Sequence, residues 1–289
     1  MVLLKLRTRA RRTCELLGPF HHSITRLTDP AFGGSVSPSV IPDAVCLAIG
    51  YRLLAIGYWL FTMPHSVESH LQLQVTEYDE LIRRFIPRYD EMLDEAVHFI
   101  RNSVVDTGKL VDLGIGTGSL TERVIRATPK AQIIGIDSDP KMLEEAARRL
   151  SSIQDRIELR LQDFLSELPP AQNAYFAALA LHHVPNLSLK QTLYQKIYDA
   201  LLPGGLFLNA DAMFDESDSN QKRKRWVAHL VSAGFPEAEA LDHLESWRTE
   251  DYYFGLETEL SLLRTVGFSD CDVAWRYGPM AVMVGKKPS

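Results

Sequence analysis

The chain has 289 residues, 46% of them hydrophobic and 24% charged, with a formal net charge of −6. That balance excludes a disordered or collagen-like chain and leaves length for one large domain with appendages. It also gives no basic surface for nucleic acid. Three widely spaced cysteines (Cys14, Cys46 and Cys271) form neither a disulfide framework nor a metal-ligand spacing, so a reducing, cytoplasmic setting is expected and no metal is.

Residues 1–62 stand apart. They hold seven Lys/Arg and three Asp/Glu, a balance of +4, whereas residues 63–289 carry −10. Lys5, Arg7, Arg9, Arg11 and Arg12 open the chain without an acid among them, and a Pro/Gly/Ser stretch follows. The apolar run 44–63, AVCLAIGYRLLAIGYWLFTM, is long enough to span a bilayer. Arg52 near its centre costs about 2.5–3.5 kcal/mol on insertion scales. A membrane anchor, an Arg-rich targeting segment and an extension that contributes nothing to the fold are the three readings. The last is expected, with residues 63–289 forming the folded domain and membrane association possible only through 44–63.

From Met63 the pattern becomes regular. Residues 71–102 are helical in spacing, with Pro87 breaking them into two helices that cap the cleft. The apolar run Lys109–Leu113 then meets glycines at 114, 116 and 118 and opens into a helical SLTERVIRAT. Strand, glycine turn and helix together make a nucleotide cradle, because glycine allows positive φ and close approach of a ligand to the backbone. The spacing is not the dinucleotide G-x-G-x-x-G, since Ser119 stands where its third glycine belongs, nor is it a phosphate loop.

A second strand, Ala131–Asp137, ends in Asp137, followed by Ser138 and an Asp139-Pro140 helix start. A third, Arg156–Gln162, ends at Asp163-Phe164, and a fourth, Ala174–Leu181, runs into His182-His183. A helix over Leu189–Leu202 stops at Pro203-Gly204-Gly205, and a fifth strand, LFLNADA, ends near Asp211. Residues 215–250 read as inserted helices, in which Trp226, His229 and Trp247, with Tyr252 and Tyr253 just after, are pocket candidates whose default is core. The run Lys222–Arg225 reads as a solvated helix face. A helix at Thr258–Val266 and a hairpin of CDVAWRY and MAVMVGK close the chain. Strands alternating with helices give an α/β, doubly wound, mostly parallel sheet.

VDLGIGTGSLT, IIGIDSDPKML, LQDF, ALALHHV, LLPGGLFLNAD and LLRTVGFSDCDVAWR together resemble the class I S-adenosylmethionine (SAM) dependent methyltransferases over about residues 75–287. The resemblance implies a Rossmann-like sheet of seven strands in the order 3-2-1-4-5-7-6, with strand 7 antiparallel. It implies SAM as cofactor, with Asp112, Gly114 and Gly116 (and Gly118 closing the loop) at its methionine end. Asp137 with Ser138 would lie at the ribose, Asp163 and Phe164 at the adenine, and Tyr89 against the donor. His182 or His183 could act as a base, although LHHV is also a structural turn in this family. Asp211 could hold substrate or a metal, or serve as a cap. LHHVPN replaces both the N/D-P-P-Y and the Pro-Cys signatures of base-methylating enzymes, so a small-molecule acceptor is expected and nucleic acid is not. Alternatives are a carboxy-SAM synthase, whose carboxylate-binding arginine has no counterpart in PEAEALDHLESW, and a SAM-binding protein without catalysis.

Overall fold

The computed structural model describes residues 77–104, 107–214 and 216–289. The basic opening residues and the apolar run 44–63 lie outside them. Among the described residues no helix is long and apolar enough to cross a membrane.

Two helices, α1 (Tyr78–Phe85) and α2 (Tyr89–Ser103), precede the sheet, and Arg88 turns the chain between them in a left-handed conformation just after Pro87. Then come β1 (Lys109–Leu113), α3 (Ser119–Ala127), β2 (Gln132–Asp137), α4 (Pro140–Arg149), β3 (Ile157–Leu161) and β4 (Gln172–Ala178). They are followed by α5 (Leu187–Ala200), β5 (Leu201–Ala212), α6 (Glu216–Ser232), α7 (Glu237–Trp247), α8 (Leu256–Val266), β6 (Ser269–Tyr277) and β7 (Met280–Lys286). The seven strands lie in the order β3-β2-β1-β4-β5-β7-β6, parallel except where β7 runs against β5 and β6.

Alternate strand residues feed two cores, because successive side chains leave a strand on opposite faces. Leu110, Phe176, Leu206 and Leu208 pack on one face against α2, α3 and the inserted α6 and α7. Val111, Tyr175, Ala177 and Phe207 pack on the other against α5 and α8. Local signals start the helices as the residues dictate. Asp139 accepts from the Lys141 N–H at 2.9 Å with Pro140 in the first turn of α4, and Asn186 accepts from the Leu189 N–H at 2.9 Å to open α5.

Several local readings differ from the sequence expectation: the fourth strand ends at Ala178, with Leu181 in the turn after it. The fifth strand begins at Leu201 rather than Leu206, so Pro203-Gly204-Gly205 lies inside it. The chain's tail holds that stretch, with Gly204 N–H donating to Lys287 O and Lys287 N–H to Gly205 O, both at 2.9 Å. The helix before it ends at Ala200, where the Lys287 ammonium binds the Tyr198 and Leu201 carbonyls at 2.8 and 2.7 Å. The Lys222–Arg225 run is not uniformly solvated either. Lys222 is buried because it lies one turn from Trp226 on the packed stripe of α6, while Arg223 pairs with Glu245 on α7 at 2.9 Å.

Candidate functional site

The strand order reverses between β1 and β4, and the parallel strands present their carboxyl ends there. In an open α/β sheet that crevice is where ligands bind. The loop after β1 forms its floor. Gly114 has φ +71°, and a Cβ on it would stand 2.5 Å from the Ala180 Cβ and 3.9 Å from the Phe164 ring. Only glycine lets the turn after β4 close on this loop. Gly116, at φ +55°, has nothing within 4 Å of the Cβ position, so its outer side is open. Gly118 opens α3 against Leu150 on the far side of the loop.

Asp137 reaches across from the end of β2. Its Oδ2 accepts from the Gly116 N–H at 2.8 Å and its Oδ1 from the Asp139 N–H at 2.9 Å. Burial pushes its carboxyl up, and those backbone donors pull it back. Ser138 is half-buried beside it. At the end of β3, Asp163 is exposed and its Oδ1 accepts from the Leu165 N–H at 2.7 Å, holding the turn that carries half-buried Phe164 toward Gly114. Asp112 lies beneath the loop with 1% of its surface exposed, and accepts from the Thr121 hydroxyl at 2.6 Å. Burial pushes it up to about 7, against that hydrogen bond.

The first helices form the roof. Thr117 in the glycine loop donates to Asp79 of α1 at 2.8 Å, and Arg149 of α4 pairs with the same carboxylate. Tyr89 is buried at the start of α2, with the Arg83 guanidinium 5.6 Å from its ring centroid. Tyr78 on α1 is a residue that sequence reasoning missed. Burial pushes its phenol far up, and Tyr89 and the carboxylates Asp137, Asp211 and Asp251 add to the shift.

The other half is built by the turn Leu181–His183 after β4, the end of β5, and the loop between α7 and α8. The His182 Nδ1 lies 2.6 Å from Asp211 Oδ1, and its backbone N–H donates to Asp211 Oδ2 at 3.1 Å. Asp251 Oδ1 is 3.7 Å from His182 Nε2 and 3.3 Å from His183 Nδ1. The Tyr253 hydroxyl donates to Asp251 Oδ2 at 2.5 Å. The Tyr252 N–H donates to the His182 carbonyl at 2.7 Å, which fixes the loop to the turn. Burial alone would lower His182, but Asp211 and Asp251 override it and raise it to about 9. Asp211 is held low by that imidazolium in spite of its own burial.

The sequence singled out both histidines and Asp211 but not Asp251. A lone Asp in RTEDYY carries no spacing signal, and it reaches the histidines only because α6 and α7 return the chain to the end of β4. Of the aromatic candidates, Trp226 and Trp247 are core, with the Trp226 indole donating to Phe85 O at 2.7 Å. Tyr253 reaches the site.

A methyltransferase-domain family (Methyltransf_25) matches residues 110–205, which span β1 to the early part of β5. The carboxy-S-adenosyl-L-methionine synthase of Nautilia profundicola is 23% identical over 234 residues, covering 79% of this chain and 98% of the relative. The enzyme of the same name from Helicobacter hepaticus is 25% identical, covering 73% and 90%. A solved structure described as a DhpI–SAM–HEP complex shares the fold at a TM-score of 0.54 and 20% identity, over 77% of this chain and 95% of that one. Residues 110–205 match a methyltransferase domain, and with its strand order and glycine loop the chain has the features of the class I SAM-dependent methyltransferases. Its cofactor is SAM, and it is an enzyme of that class.

Proposed function

We propose that the chain transfers the methyl group of SAM to a small-molecule acceptor bound on the β4–β5 side of the crevice. The observation that carries this reading is the Asp137–Gly116 hydrogen bond at 2.8 Å, which joins the acid closing β2 to the glycine loop after β1. A donor laid across that junction meets ribose acceptors at Asp137 and Ser138 and an adenine edge at Asp163 and Phe164. Its methionine end lies at Gly114 and Gly116, over Asp112, with Gly118 closing the loop and Tyr89 behind. The turn that starts at Ala180, packed against Gly114, would border the donor's transferable methyl group.

The chemistry is in-line displacement at a sulfonium carbon. The acceptor bond forms as the S–CH₃ bond breaks, and the electron pair stays on sulfur. SAM supplies the electrophile, so the protein contributes alignment and exclusion of water. His182, charged at neutral pH between Asp211 and Asp251, acts as a positioning cation rather than a base. Proton removal falls to His183. The −10 balance of residues 63–289 supports a small molecule over nucleic acid.

A second reading is a carboxy-SAM synthase, favoured by the names of the curated relatives. Against it stands the segment 236–247, which contains no arginine, while its Ala240, Leu244 and Trp247 are buried in the core. Calorimetry with SAM tests the common premise, and absence of binding overturns both readings. S-adenosylhomocysteine release across a metabolite panel supports methyl transfer. A carboxylated SAM found by mass spectrometry, with no methylated product, overturns it in favour of the second reading.

A further inference from the structure

The three side chains on the acceptor side have the arrangement of metal ligands. Ligand atoms of His182, His183 and Asp251 all lie within 4.8 Å of one another. The closer pairs are 3.3 Å (His183 Nδ1 to Asp251 Oδ1) and 3.7 Å (His182 Nε2 to the same oxygen). Zinc–nitrogen and zinc–oxygen bonds are about 2.0–2.2 Å, which puts two ligands of one ion about 3.4 Å apart at a tetrahedral angle. We propose that His182, His183 and Asp251 bind one divalent first-row transition-metal ion, zinc or iron(II) in character, on the acceptor side of the SAM crevice.

Four further features fit such a site. Asp211 accepts at the His182 Nδ1, which fixes the ring and directs Nε2 toward Asp251, the outer-sphere carboxylate that metal-binding histidines characteristically have. Tyr253 does the same for Asp251 by bonding the other carboxylate oxygen. The Tyr252–His182 backbone bond holds the two contributing segments in register, so the ligands come from a fixed frame. Charge agrees as well. Asp211 and Asp251 are both buried, and the nearby Lys190 ammonium is already paired with Glu259. Binding displaces the His182 proton, and with both imidazoles then neutral the pair of carboxylates is balanced by a dication.

The donor set decides the kind of ion. Two imidazole nitrogens and one carboxylate oxygen suit zinc, iron(II), manganese or cobalt, whereas calcium and magnesium prefer oxygen throughout. Three protein ligands leave positions for an exogenous oxygen. The role in catalysis rests on the methyl-transfer reading above: an acceptor hydroxyl on the ion loses its proton to solvent, and its oxygen forms the new bond to the methyl carbon as the S–CH₃ bond breaks. Acidification by the ion then takes the place of His183 as base, since that imidazole is committed to the ion. The binding itself does not depend on that reading.

The test uses the full chain, stripped with chelator and titrated with cobalt(II) by visible absorption and with zinc by calorimetry. One ion per chain is expected. Asp251→Asn and His183→Gln should each weaken binding at least about tenfold, and Asp211→Asn by roughly 10–100-fold as an outer-sphere change. Each variant is also titrated with SAM, and retained SAM affinity shows that its fold is intact. If His182→Gln does not fold, the other variants carry the test. No binding at one equivalent, or binding unchanged in Asp251→Asn and His183→Gln, overturns the site. SAM binding without metal binding overturns this inference and leaves the methyl-transfer reading standing. Metal binding without SAM binding does the reverse.

Discussion

Asp137 and His182 are both polar groups committed to partners, and each commitment gives a measurable quantity. Asp137 already accepts from two backbone N–H groups, so a ribose hydroxyl adds to a carboxylate that the chain has oriented in advance. Asp137→Ala should weaken SAM binding by about 1.5–3 kcal/mol, the range for hydrogen bonds to a charged group, read by calorimetry. Unchanged affinity would remove Asp137 from the ribose. His182 gives a pH dependence in the chelator-stripped protein. Its folded pKa of about 9 lies above the ordinary histidine value of about 6.5, so its stabilisation is complete below about pH 6.5 and is lost as pH rises through 9. The lowered Asp211 contributes above the ordinary aspartate range and loses that contribution only in acid. Asp112, raised to about 7, is half titrated there and has largely finished about one pH unit higher. The interval from about pH 8 to 9 therefore carries the His182 change, with the raised Cys271 thiol adding to the fall in both proteins. The melting temperature should fall across it, and His182→Gln should flatten the fall. Equal slopes in the two proteins would show that the imidazole is not held charged. The placement of the glycine loop, Asp137 and Asp163 at the ends of strands was legible in the sequence because apolar runs mark where strands stop. Asp251 was not, because it reaches the histidines from a remote segment.

Helices α5 and α8 meet around a buried ion pair, Lys190 with Glu259, to which the Tyr194 hydroxyl also donates. Lys190 has 2% and Glu259 1% of its surface exposed, so neither charge has water as an alternative partner. Removing one partner leaves the other charge buried, and such losses cost about 3–5 kcal/mol. Glu259→Gln should destabilise the protein by that amount in urea denaturation, while the double change Lys190→Met/Glu259→Leu should recover most of it. A single variant with near-wild-type stability would show that water reaches the pair. The helices themselves were readable from their apolar stripes, and the polar contact between them was not. Periodicity reports which face is buried, but a lysine or glutamate on that face looks like an interruption until its partner is brought beside it. The same reasoning explains Lys222, a charged residue on the packed stripe of α6. It also explains the early start of β5, where the Gly204–Gly205 stretch is drawn into the ladder by a tail more than 80 residues downstream.

At the scale of the whole molecule, every residue invoked in the crevice lies between Tyr78 and Tyr253, and the sheet is completed by β6 and β7 near the end of the chain. The roof contact from Asp79 to Thr117 and Arg149, and the packing of Phe85 against Phe235 and Trp247, tie α1 to the glycine loop, to α4 and to the inserted helices. The two cores receive residues from α1 through β7. These contacts motivate the proposal that residues 63–289 form the folded, SAM-binding unit, in line with the charge shift near Met63. Residues 63–289 expressed alone should therefore unfold in one cooperative transition and bind SAM within about twofold of the full chain, since every residue invoked in the crevice belongs to that segment. Calorimetric titrations of the two proteins side by side measure this. Aggregation of the shorter protein, or a loss of SAM affinity of tenfold or more (about 1.4 kcal/mol), would make residues 1–62 part of the folded unit. Fractionation without detergent then separates the readings of that segment. A full chain that pellets with membranes, while residues 63–289 stay in the supernatant, would assign the run 44–63 to membrane association and overturn its reading as an inert extension.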